Sequence, residues 1–230
     1  MARIILIETS TALCSTALAE DGKIVSYLES TTPRAQASLT APFVKQMLDG
    51  HGLAVSDCDA VCVSKGPGSF TGLRVGVSTA KGLCFGSGLP LLSVGTLETL
   101  YWQAVTEKLL PEGCRYVVPM IDARRMEVYT AVFSSDGRQL TEVRPQVVEA
   151  ETFAPYLSEG PVLFIGDGAP KCREILSSEN AFFHGCCPKA SSMLIPAERA
   201  FNEKRFEDVA YFEPFYLKEF IATVSRKNLI

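Results

Sequence analysis

The residues able to do chemistry in this chain are few, and their spacing excludes more reactions than it supports. Only two histidines occur, His51 just past a helical stretch and His184 in a Phe-Phe-His-Gly segment. A nucleophilic hydrolase would need one of them beside an activated serine. No G-x-S-x-G elbow is present, and Ser69, inside a glycine-rich segment, reads as a turn or helix-capping residue. Neither H-E-x-x-H nor H-x-x-x-H occurs, so a helical pair of zinc or iron ligands is excluded. The carboxylates Glu8, Asp122 and Asp167 each stand at or just past the end of an apolar run. A carboxylate there can hold a nucleotide-bound magnesium ion if it faces a cleft, and it can equally cap the next turn. Arg124 and Arg125 follow Asp122 directly and either pair with it at the surface or contact an anionic partner.

The segment Gly66-Pro67-Gly68-Ser69-Phe70-Thr71-Gly72-Leu73-Arg74-Val75-Gly76 places four glycines where an apolar strand hands over to a helix. Glycine permits positive φ and the close approach of another backbone or an anion, and the first N–H groups of a helix favour negative charge. Glu8, Gly66, Gly68 and Ser69 are therefore candidates for a nucleotide-binding or purely structural loop. The segment fits neither common phosphate fingerprint: Thr71 stands where a Rossmann loop needs glycine, and Lys81-Gly82 reverses the P-loop order. Gly72, Gly76 and Ala80 recur at four-residue spacing beside an apolar stripe of Leu73, Val77 and Cys84. That bare face either packs tightly inside the chain or joins Leu39, Phe43 and Met47 of the preceding helix as a helix-pair surface for another subunit.

The elements that must position these residues form a repeat. Strands are expected over 4–9, 15–20 and 23–28, with Asp21-Gly22 as the hairpin turn between the last two. A helix over 39–48 follows, with Pro42 in its first turn and Gly50 and Gly52 ending it. A buried strand over 60–63, the glycine loop, a helix over 71–85, a strand over 91–94 and a helix over 96–109 opened by Thr-Leu-Glu-Thr capping complete the first half. The second half opens in the same style, with strands over 116–121, 126–133, 139–148 and 161–165, a second Asp-Gly turn at Asp136-Gly137, and Gly166-Asp167-Gly168 before a helical stretch. The repeated order predicts two related α/β lobes, 1–110 and 111–230, joined near Pro111-Glu112-Gly113.

With 230 residues the chain can bury a sizeable core, and its 47% hydrophobic and 21% charged content is that of a globular protein. A net charge of −4 without any long basic run argues against independent binding to a long stretch of nucleic acid. The apolar run near the start is short and closed by Glu8, so no export or membrane segment is expected and the location is cytoplasmic. Eight cysteines are scattered without a C-x-x-C pair, as expected of reduced thiols serving as small core residues.

Three segments carry a resemblance that spans nearly the whole chain. Ile7-Glu8-Thr9-Ser10-Thr11, Lys65 to Arg74 with its continuation through Ala80-Lys81-Gly82, and Asp122-Ala123-Arg124-Arg125-Met126-Glu127-Val128-Tyr129 together closely resemble the TsaB (YeaZ) family. Gly166-Asp167-Gly168-Ala169 and Pro214-Phe215-Tyr216-Leu217 echo it later. The resemblance implies a two-lobed actin-like ATPase (ASKHA) fold of duplicated mixed-sheet domains. It also implies a non-catalytic scaffold role in the synthesis of N6-threonylcarbamoyladenosine at position 37 of tRNAs reading A-starting codons. In that role the partner is TsaD, the threonylcarbamoyl transferase, joined by the ATPase TsaE, with a homodimer as a further assembly and tRNA met only through the complex. ATP and a metal ion then belong to the partner, and this chain carries no cofactor of its own. Arg34-Ala35-Gln36-Ala37-Ser38 lacks histidine where family members often carry one, and Glu8 replaces their usual Asp. Kinship with TsaD also implies a competing reading, an M22-type peptidase acting through Ser69 or His51.

Overall fold

The computed structural model describes residues 2–218, so the end of the expected second lobe, 219–230, lies outside the described residues. The first lobe is built on a five-stranded sheet: β1 (Arg3–Glu8), β2 (Cys14–Glu20), β3 (Lys23–Ser30), β4 (Ala60–Gly66) and β5 (Leu91–Gly95). Their spatial order is β3-β2-β1-β4-β5, antiparallel in the hairpin half and parallel from β1 onward. The Asp21-Gly22 turn forms as expected, both residues taking the positive φ (52° and 76°) that a two-residue hairpin turn demands. Parallel pairing of β1 with β4 requires a crossover, which α1 (Gln36–Gly50) provides, and α2 (Phe70–Ser87) does the same between β4 and β5. Both helices cover one face of the sheet, burying Val44, Met47, Val77 and Ala80 against Ile5, Ile7 and Val63.

Two local expectations are corrected. The first helix starts at Gln36 rather than Leu39, because the Gln36 amide donates to the Thr11 carbonyl at 3.0 Å and Thr40 donates back to the Gln36 carbonyl at 2.6 Å. Pro42 therefore sits inside the helix, where it leaves the Ser38 carbonyl without its usual donor. The Thr-Leu-Glu-Thr cap does not form. Gly95 precedes α3 (Thr96–Thr106), and Thr96 is instead buried, its hydroxyl 2.9 Å from that of Ser64.

The second sheet repeats the first with β6 (Tyr116–Asp122) in the place of β1. β7 (Glu127–Thr130), β9 (Arg144–Val147), β10 (Val162–Ile165) and β11 (Ala181–His184) give the order β11-β10-β6-β7-β9, and the two-residue β8 (Phe133–Ser134) pairs with β6. Read from the other edge, this is the first-lobe order with the same parallel and antiparallel relations. The expected strand over 126–133 is split into β7 and β8 because Val132 turns its N–H to the Thr141 hydroxyl. The second-lobe helices are short: α4 (Ala154–Leu157) and α5 (Ala169–Cys172) span four residues each.

Helix α3 lies between the two sheets. Leu97, Leu100, Tyr101 and Ala104 pack on Val117, Ile121, Leu163 and Ile165 of the second sheet. The chain then returns to the first lobe: Ala190 and Met193, with Ala197 and Ala200 of α6 (Leu194–Asn202), fill the face of sheet one opposite α1 and α2. The buried Gln103 amide fixes this return by donating to the Cys187 carbonyl at 3.2 Å and accepting from the Lys189 N–H at 3.1 Å.

Candidate functional site

Two strand-to-helix joints, one per lobe, are where the sequence motifs meet. In the first lobe β1 ends at Glu8 and the turn after it runs under the glycine loop. Ser69 caps α2 by accepting from the Gly72 N–H at 3.3 Å, and the Ser69 N–H itself donates to the Ser10 carbonyl at 2.6 Å. A Cβ on Gly68 would lie 2.4 Å from that same carbonyl, one on Gly72 2.1 Å from the Thr9 carbonyl, and one on Gly76 2.3 Å from the Thr9 hydroxyl. Gly66, at φ +112°, lets the Phe215 backbone approach from the other side, and Phe215 donates to the Lys65 carbonyl at 2.7 Å. Of the two uses open to the loop, the geometry favours the packing joint: the Ser69 N–H is taken by the Ser10 carbonyl, and this chain's own backbone fills the space beside Gly68 and Gly72.

Glu8 is fully buried, one carboxylate oxygen accepting from the Ser10 N–H at 2.6 Å and the other without a hydrogen-bond partner among the described residues. Burial pushes its carboxyl up to about 6, against the weaker opposing pull of donors from Ser10 and Ser64. The turn after β1 packs against the glycine loop beside this buried carboxyl. Among the described residues no group of three or more His, Cys, Asp or Glu side chains is arranged to hold a metal ion.

The second lobe repeats the joint with different chemistry. Gly166, at φ +124°, corresponds to Gly66, and a Cβ there would lie 2.2 Å from the Met120 carbonyl. Asp122 ends β6 as Glu8 ends β1. Its N–H donates to Asp167 at 2.9 Å, while its carboxylate pairs with Lys171, which also donates to the carbonyls of Arg125 and Glu127 at 2.7 Å each. Desolvation raises the Asp167 carboxyl above its ordinary range. Lys171 thus holds the turn between β6 and β7, a role with no signal in the local sequence.

The helix pair has an inner and an outer face, and the structure separates them. Of the eight residues expected at a partner surface, Met47, Gly72, Leu73, Gly76, Val77 and Ala80 are buried within the lobe, and Leu39 and Phe43 are half-buried. Of the two alternatives for the Gly72, Gly76 and Ala80 face, packing inside the chain is the one observed, with Thr9 against Gly72 and Gly76 and Ala80 in the core under the sheet. The outer face of α2 carries a second small-residue stripe, Ser78, Gly82 and Gly86, at the same four-residue spacing. A Cβ on Gly82 or Gly86 would meet nothing within 4 Å, and Phe85 beside them is 88% exposed. On α1 the exposed Ala41, Pro42 and Lys45 border a cavity of about 550 Å³. The sequence contains both stripes, and only the fold tells which is free.

His51 lies past the end of α1 and His184 ends β11, so neither is a hydrogen-bond partner of Ser69. All eight cysteines are free thiols, five of them buried, and burial raises Cys58 and Cys84 to about 11.

The family model described as TsaD, tRNA N6-adenosine threonylcarbamoyltransferase, matches residues 30–224. The tRNA threonylcarbamoyladenosine biosynthesis protein TsaB of Escherichia coli is 32% identical over 96% of both chains. The chain belongs to the TsaB family. The solved structure titled YeaZ from Pseudomonas aeruginosa is similar to it with a TM-score of 0.83 and 28% identity, over 94% of this chain and 100% of that one. The activator of the 2-hydroxyisocaproyl-CoA dehydratase from Clostridium difficile is similar at a TM-score of 0.50 and 12% identity, covering 88% of this chain and 96% of its own, a likeness of fold alone. The two-lobed actin-like architecture implied for a TsaB-family chain is the one observed, with its duplicated mixed sheets. Among the described residues no helix is long and apolar enough to cross a membrane.

Proposed function

We propose that this chain is a non-catalytic subunit in N6-threonylcarbamoyladenosine synthesis, binding the threonylcarbamoyltransferase TsaD and holding it in a competent form. The observation that carries this reading is the free outer face of α2, where Ser78, Gly82 and Gly86 leave the helix backbone open beside the exposed Phe85. Small residues at four-residue spacing let a second helix approach closely, and a large exposed apolar side chain gains free energy on burial. The same face serves either TsaD or a second copy of this chain, one partner displacing the other.

The side-chain chemistry of the two joints supports a subunit that positions rather than reacts. The glycine loop packs against Ser10 and Phe215, Glu8 is fully buried at the end of β1, and Ser69 is engaged as a helix cap. In this reading the chain binds no nucleotide or metal of its own, works in the cytoplasm, and shares the complex with TsaE, while ATP, metal and acyl transfer belong to its partners. Nothing in the geometry favours the peptidase reading.

Gly82→Trp tests the assignment. The substitution enters open solvent in the free chain, so its melting temperature stays within about 2 °C of the parent, as for surface changes generally. Association with TsaD, measured by sedimentation or calorimetry, is expected to fall at least tenfold. Unchanged association would remove α2 from the interface.

A further inference from the structure

The turn between β6 and β7 has two features that the scaffold role leaves unused. Arg124 and Arg125 both adopt left-handed backbone conformations, at φ 71° and 51°, a region disfavoured for arginine and easily occupied by asparagine or glycine. Their side chains are exposed, and among the described residues neither guanidinium has a hydrogen-bond or ion-pair partner. The backbone amide groups of Arg125 and Met126 likewise meet no acceptor.

The two acids that flank these arginines in sequence are already paired. Asp122 pairs with Lys171, and Glu127 pairs with Lys218, whose ammonium also lies 5.8 Å from the Tyr129 ring. Lys171 further draws the carbonyls of Arg125 and Glu127 inward, at 2.7 Å each, leaving the turn's cationic side chains outward. A chain of net charge −4 thus concentrates four cations around one hairpin tip and leaves two of them unpaired. Left-handed backbone, open amide groups and adjacent guanidinium groups are the ingredients of an anion-recognising turn, and arginine suits phosphate in particular.

We propose that the Arg124–Arg125 turn grips backbone phosphates of the tRNA while this chain is held in the complex. A strand of phosphates is preferred to a single nucleotide because both arginine side chains stand exposed at the tip of the turn. Two contacts are too few for the free acidic chain to bind RNA tightly, and they add to binding once a partner supplies the rest. The proposal rests on the reading that this chain works beside the threonylcarbamoyltransferase.

The test replaces both residues with ones the backbone favours, Arg124→Asn together with Arg125→Gly, so the turn is kept while both charges go. The complex of this chain with the transferase is titrated with an in vitro tRNA transcript across a range of salt. The variant complex is expected to bind the transcript more weakly at every salt, and the slope of log affinity against log salt to shrink by about two, one for each lost phosphate contact. Its melting temperature should not fall. An unchanged slope overturns the proposal even where tRNA modification still requires this chain, so the scaffold reading stands apart. Weaker association with the transferase at an unchanged slope means the arginines meet an acidic protein surface, and also overturns it. Modification that proceeds equally well without this chain overturns the scaffold reading and the proposal together.

Discussion

Thr9 and Gly72 lock together from both sides. The Thr9 hydroxyl donates to the Gly72 carbonyl at 2.7 Å, and a Cβ on Gly72 would lie 2.1 Å from the Thr9 carbonyl oxygen. Through this pair the end of β1 and the start of α2 form one rigid corner, and the outer face of α2 inherits its position from that corner.

Adding a single methyl group at this corner is therefore costly. Gly72→Ala is expected to destabilise the chain by about 2–3 kcal/mol, or roughly 5–10 °C of melting temperature, because the obstacle is backbone that cannot rotate away. Gly82→Ala, into open space on the same helix, is expected to stabilise by about 0.5–1 kcal/mol through the lower entropy of the unfolded chain. Urea denaturation of both variants checks the opposite signs.

The contrast between those glycines shows where the sequence was sufficient and where it was not. Hairpins, crossover helices and the twofold repeat were legible because Asp-Gly turns, period-two strands and glycine loops are local signals. The orientation of α2 was not, since Gly72-Gly76-Ala80 and Ser78-Gly82-Gly86 carry the same spacing and only contact with Thr9 decides between them. The return of Ala190 and Met193 to the first sheet, and the bridge from Lys171 to Asp122, join residues far apart in sequence and leave no local trace. The glycine loop itself was recognised, while its closure by Phe215 depends on a segment about 150 residues downstream.

Burial of Glu8 gives the chain a pH dependence of definite sign. The carboxyl is raised from 4.5 to about 6 in the folded state, so the native chain binds more protons than the unfolded one between those values. Its contribution is fully present below about 4.5 and is lost as pH rises through about 6, a loss of about 2 kcal/mol by neutral pH. Glu8→Gln resembles the protonated form and should flatten this part of the curve. Denaturation of parent and variant from pH 4 to 8 measures the difference, and parallel curves would contradict the assignment.

The Gln103 amide serves two backbone groups at once. Gln103→Leu leaves the Cys187 carbonyl and the Lys189 N–H without partners in a buried setting, a loss of about 2–4 kcal/mol. Hydrogen exchange should show the segment around Ala190 opening first, since this bridge ties it to α3.

The central claim is that this chain positions a catalyst and does not act as one. The direct measurement is threonylcarbamoyladenosine formation on a tRNA transcript, with TsaD and TsaE supplied and the chain present, absent or carrying Gly82→Trp. Robust formation only with the parent chain, none by the chain alone, and a loss of at least tenfold with Gly82→Trp is the expected result. Modification by this polypeptide without TsaD, or equal rates whether it is present or absent, would contradict the account.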